Sequence, residues 1–146
     1  MFVLIVVLSG FGGTALMTGV MWFIHRAGWA NADMIRALGS LFTRSYENSL
    51  RPGLAVHFVA GCAFAVPYLL ILRSVGTDNL FETMAVTTAV GVFHGAAMIF
   101  VLLALVAETH PVERFRTAGV DVAAAHIVGH VAYGLGVGLT AGLLGI

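Results

Sequence analysis

Ala123-Ala124-Ala125-His126-Ile127-Val128-Gly129-His130-Val131-Ala132-Tyr133-Gly134 decides how the rest of the chain is read. Two histidines stand one helical turn apart among alanine, valine and glycine, inside an apolar run that leaves them no water. About 70 residues earlier the same words recur as Ala55-Val56-His57-Phe58-Val59-Ala60-Gly61-Cys62-Ala63-Phe64-Ala65. His57 falls on His126, Val59 on Val128, Ala60 on Gly129, Ala63 on Ala132, Phe64 on Tyr133 and Ala65 on Gly134.

The solvent around these histidines follows from composition. Of 146 residues 60% are hydrophobic and only 10% charged, and the mean hydropathy is +0.99. A soluble domain carries roughly 25% charged residues, so lipid surrounds most of this chain. The net charge is zero, which gives nucleic acid nothing to bind. Lysine is absent, and the single cysteine, Cys62, excludes an internal disulfide and any CxxC motif.

Working outward, four uncharged runs reach spanning length, at about 2–24, 52–72, 83–107 and 122–146. In hydrocarbon the backbone must satisfy its own polar groups, so each run is read as a helix. The fold class is therefore all-α: a single polytopic domain of four transmembrane helices over 1–146. Residues 2–24 lack a basic leader and a clear A-x-A cleavage site, so they read as a first span and not as a signal peptide.

Between the first two spans, residues 31–45 read as a short amphipathic helix on the membrane surface. Met34, Ile35, Leu38, Leu41 and Phe42 make its apolar face, Asn31 is the expected cap, and Asp33 suits the first turn. Arg26, Arg36, Arg44, Arg51, Arg114 and Arg116 follow spans one and three, whereas Arg73 alone follows span two. The positive-inside rule puts those six in the cytoplasm and both termini outside, in the cytoplasmic (inner) membrane.

The repeat extends faintly to spans one and three. Gly10-Phe11-Gly12-Gly13-Thr14-Ala15-Leu16-Met17 matches Gly91-Val92-Phe93-His94-Gly95-Ala96-Ala97-Met98 at Gly, Ala and Met. Each half then reads as one hairpin, two hairpins in tandem, related by an axis along the membrane normal. Helix four is rich in glycine, and Gly134 and Gly138 form a small-xxx-small face for a neighbouring helix.

At about 1.5 Å per residue, His57 lies roughly 8 Å and His126 roughly 9 Å inside the cytoplasmic ends of their spans. His94 and His130 lie deeper, and His25 and His110 sit at the interface. Intramembrane ionisable residues are costly and tend to be functional, so His57, His94, His126 and His130 are the candidate cofactor-binding set. Soft ligands lie at similar depth: Met17, Met21 and His25 share a stripe of helix one, and His94 and Met98 are one turn apart. A metal set of His94, Met98, His126, His130, Met17, Met21 and His25 would suit copper, and imidazole alone would suit haem b. Thr14 and Thr18 could hydrogen-bond a ring nitrogen. Packing is the plainer reading of Met17 and Met21, and helix–helix hydrogen bonding that of each histidine alone.

Much chemistry is absent. No carboxylate lies within a span, Ser9 is the only spanning serine, and no phosphate loop follows a strand. A catalytic activity of its own is not expected. The lead expectation is a small accessory or structural subunit of a larger membrane complex, a redox (electron-transfer) one. The alternatives are a haem- or copper-binding four-helix bundle and a metal or proton transporter. The partners are then the lipid bilayer and other membrane subunits or further copies of the chain.

The run from His126 to Gly136, with Gly13-Thr14-Ala15-Leu16-Met17-Thr18, resembles small four-span bacterial membrane proteins of an uncharacterised family. That resemblance implies a topology and no activity. Cytochromes b are less similar, since they place two well-separated histidines on one helix, and His126 and His130 are too close for two stacked haems.

Overall fold

The computed structural model describes residues 1–103 and 108–146. In order these form α1 (Phe2–Arg26), α2 (Met34–Thr43), α3 (Leu50–Val75), α4 (Leu80–Val101), a 3₁₀ turn (Glu113–Phe115) and α5 (Val120–Leu143). Among the described residues the structure is helical throughout, and α1, α3, α4 and α5 are long and apolar enough to cross a membrane. Residues 104–107, the end of the third expected span, lie outside the described residues.

α5 is the centre of the bundle. Sixty-one per cent of its apolar window is buried, against 17% for α4. It packs on α1 along one side and on α4 along another, and α3 packs on α1 and α2. The reason is the small residues. A Cβ on Gly136 would stand 2.8 Å from the Cα of Gly13, so these two backbones meet as closely as glycine allows. Gly134 and Gly138 lie in the same way against Thr87 and Met84 of α4. Between helices in lipid, such close contact supplies dispersion energy that hydrophobicity cannot.

Threonine hydroxyls look after themselves. Thr14 Oγ1 donates to Gly10 O at 2.7 Å, Thr87 Oγ1 to Thr83 O at 2.9 Å and Thr140 Oγ1 to Gly136 O at 2.8 Å. Each returns to its own helix one turn back, whereas the fully buried Ser9 Oγ has no partner among the described residues. At the start of α4, Asn79 Oδ1 accepts from Glu82 N at 3.0 Å and Glu82 accepts from Asp78 N at 2.9 Å, closing the orphan amides there.

α2 begins differently from the expectation. Its N-cap is Asp33, whose carboxylate accepts the Tyr46 hydroxyl at 2.8 Å and caps no amide. Asn31 does not cap it: its Nδ2 donates across to Arg114 O at 3.0 Å. Tyr46 is held between two guanidiniums, with Arg36 and Arg114 at 4.7 and 4.5 Å from its ring centre. His110 completes the knot. It is fully buried, takes a hydrogen bond from Val112 N and donates from Nε2 to Ala37 O, both at 3.1 Å. The 108–119 segment and α2 are thereby tied together over one end of the bundle.

Candidate functional site

His57 of α3, His94 of α4 and His126 and His130 of α5 all line one cavity of about 340 Å³. Its other walls are mostly apolar, with Met17, Ala60, Phe64, Met98, Val122 and Tyr133 among them, and α2 and the 108–119 segment cover one end through Leu38, His110 and Phe115. Residues far apart in sequence thus share one space, and within it His94 meets His130 directly.

Hydrogen bonding decides what each ring offers. His126 Nδ1 lies 3.0 Å from Val122 O, and His130 Nδ1 lies 2.8 Å from His126 O. A carbonyl oxygen only accepts, so both rings carry their proton on Nδ1 and present Nε2 as an acceptor. His94 is the reverse. Its Nδ1 is 3.1 Å from the Tyr68 hydroxyl, which has no other acceptor among the described residues and so donates to the ring. That puts the His94 proton on Nε2, a buried atom with no partner among the described residues. His57 Nε2 is likewise buried and unpartnered. Unmet polar groups in an apolar cavity are unfavourable by roughly 1–3 kcal/mol each, which favours a polar occupant.

The rings form an aromatic cluster. His94 meets His130 at a centroid distance of 4.5 Å and 69°, and Phe64 at 4.5 Å and 49°. Tyr68 and Tyr133 meet edge to face at 5.2 Å, and Tyr133 donates to Gly61 O at 2.6 Å. His126 and His130 lie nearly parallel at 6.3 Å.

The sequence match between the halves sets two interfaces side by side. The match of Gly10 with Gly91 sets His94 on Gly13, and that of His57 with His126 sets Phe64 on Tyr133. Gly13 lets α1 close onto Tyr133 of α5, where a Cβ would stand 2.9 Å from the tyrosine ring. The corresponding place between α4 and α3 holds the His94 ring against Phe64. Among the described residues few backbone positions of α3 and α4 come close, and the rings of Phe64, Tyr68 and His94 fill the interval between them. The cavity lies behind this seam. Phe64 and Val101 line it and are still 42% and 39% exposed on the outside.

The remaining candidates separate. Met17 lines the histidine cavity, while Met21 and His25 line a second one of about 470 Å³ between α1, α2 and α3. Both methionines are almost fully buried and pack on Gly129. Thr14 and Thr18 do not reach a ring nitrogen; Thr18 Oγ1 donates to Thr14 O at 2.7 Å. His57 lines both cavities. Among the described residues, no group of three or more His, Cys, Asp or Glu side chains is arranged to hold a metal ion. A haem between His94 and His130 does not fit either. Two imidazoles on opposite axial positions hold their nitrogens roughly 4 Å apart, with their centres further still, and these rings touch edge to face.

Sequence reading passed over Tyr68 and Tyr133, which orient His94 and wall the cavity. The available signal was a tyrosine in an apolar span, whose hydroxyl must find a partner. It also assigned His110 to the interface, where the structure buries it. No known protein family, curated protein or solved structure matches this chain. The class that fold and cavity define is a helical bundle of membrane-spanning proportions with an internal histidine chamber.

Proposed function

We propose that the chain is a small accessory subunit of a larger redox complex of the cytoplasmic membrane, with both termini outside and its two halves acting as tandem hairpins. The observation that carries this reading is the convergence of four histidines from three helices on one apolar cavity, with no spanning carboxylate beside them. Such a chamber can bind and orient a group for a neighbouring subunit. The outward faces support association in lipid: Val59, Phe81, Phe93 and Phe100 are all largely exposed and apolar. The chain's part is to hold, and the electron-transfer chemistry belongs to the partner.

Purification from the native membrane in mild detergent tests this. Larger subunits should co-migrate with the chain, and His94→Leu with His130→Leu should lower electron transfer in a complex that still assembles. A monodisperse lone bundle would overturn the reading. Thiol labelling of cysteines placed near each terminus, from outside intact cells, tests the orientation.

The runner-up is a copper site. His94, His130 and Met98 line one cavity, and imidazole with thioether suits Cu(I). Near-stoichiometric copper in protein from its native membrane, lost with His130→Leu, would favour it. A proton or metal transporter draws on His57, which lines both cavities, and predicts ion flux in reconstituted vesicles.

A further inference from the structure

We infer that the cavity between α3, α4 and α5 binds the ring of a membrane-soluble quinol, which enters through the α3/α4 seam and bridges His94 to His130 with one hydroxyl. This deepens the reading above, since it rests on the histidine chamber being the working part of the chain.

The polar requirement is specific. With the Tyr68 hydroxyl donating to Nδ1, His94 carries an N–H at Nε2 that has no acceptor among the described residues; His130 carries a lone pair at Nε2, and the two ring centres lie 4.5 Å apart. A group that both accepts and donates satisfies the two at once, and a hydroxyl is the smallest that does so. A bare carbonyl would meet only the first. Water meets both, but a single water occupies about 30 Å³ in a cavity of about 340 Å³. The remaining walls are mostly apolar and aromatic, with Asn31 and Asp33 at the end next to α2, and ask for a largely apolar, planar body. A volume of this size lies at the small end of the range for ligand pockets, about 300–1,000 Å³, and suits one ring.

The walls also exclude rivals. No arginine lines the cavity among the described residues, so a phosphate headgroup would find no counter-charge. Phe64, Tyr68 and Tyr133 supply aromatic edges and faces around His94, the surroundings in which another aromatic ring packs well. Between the widely spaced backbones of α3 and α4, Phe64 and Val101 line the cavity and are also exposed on the outer face, so a long apolar tail can pass beside them and stay in the bilayer. Ring in the chamber and tail in the lipid is the shape of a quinol.

The test is saturable binding of radiolabelled decyl-benzoquinol to the purified full-length chain in detergent, without oxygen. One molecule should bind per chain, and His94→Leu and His130→Leu should each weaken binding at least tenfold. Ser74→Ala, at the far end of α3, should leave it unchanged. Equal binding in both histidine variants, or equal displacement by decanol, would overturn the inference. Should either variant fail to stay monodisperse, photo-crosslinking of an azido-quinol to the wild-type chain decides instead. Label on the peptides holding Phe64 or Met98 supports the site, and label confined to lipid-facing residues such as Val59 removes it. Native co-purification is scored separately: quinol binding by a chain without partners sinks the subunit reading alone, and partners without quinol binding sink this inference alone.

Discussion

His94 and His130 come from different helices and meet edge to face at 4.5 Å, yet no hydrogen bond joins them. Each has its other nitrogen engaged, His94 by the Tyr68 hydroxyl and His130 by the carbonyl of His126. Their tautomers are therefore opposite. Side-chain nitrogen NMR should find His94 protonated at Nε2 and His126 and His130 at Nδ1. Tyr68→Phe should release His94 alone to the other tautomer. The same tautomer at all four cavity histidines would contradict the arrangement.

The contact of α1 with α5 depends on two glycines. Gly136→Val would drive a side chain into the Gly13 backbone and should destabilise the bundle by about 1–3 kcal/mol, as overpacking does. Gly19 has nothing within 4 Å of where its Cβ would stand, so Gly19→Val should stay within about 0.5 kcal/mol of wild type. Reversible unfolding in mixed micelles separates the two, and equal losses would show that α1 packs elsewhere.

His110 ties the 108–119 segment to α2 through its bond to Ala37 O, with its ring 5.1 Å from that of Phe115. His110→Ala removes that bond and the one from Val112 N, worth about 0.5–1.5 kcal/mol each. Amide exchange in α2 should rise by roughly tenfold or more, while α5 keeps its protection. Unchanged exchange in α2 would mean that its packing on α3 suffices.

Tyr46 gives this end of the bundle an alkaline limit. Burial, then its hydrogen bond to the Asp33 carboxylate, raises the phenol above its usual value of 10.0. A group raised on folding stabilises fully below its unfolded value and ceases to do so as pH rises through the folded one. Protection of α2 should therefore hold up to about pH 10 and fall above it. In Tyr46→Phe that dependence should disappear, at the expense of the Asp33 bond at every pH. An alkaline transition of undiminished size in the variant would place its origin elsewhere.

The end of the bundle illustrates how far local reading extends. The apolar face of Met34, Ile35, Leu38 and Leu41 could be read from spacing alone, because a helix repeats every 3.6 residues wherever it lies. That Asn31 would turn away to Arg114 O could not, since its partner lies far along the chain. Thr14 is similar: a hydroxyl one turn from a carbonyl on its own helix has a local answer, and that answer won over a distant imidazole.

By itself the sequence determined the solvent and the architecture's parts. Four long apolar runs in a chain with 10% charged residues must hydrogen-bond their own backbones, and helices do so without outside help. It also set the spacing of the histidines along their own helices, with His126 and His130 one turn apart, because rise per residue is fixed. The phase between helices was decided only by tertiary packing. Glycines let α5 close onto α1 and α4, whereas α3 and α4 meet through the rings of Phe64, Tyr68 and His94. Rotation of one helix about another depends on which side chains collide, and that is a property of pairs of surfaces that no single helix contains.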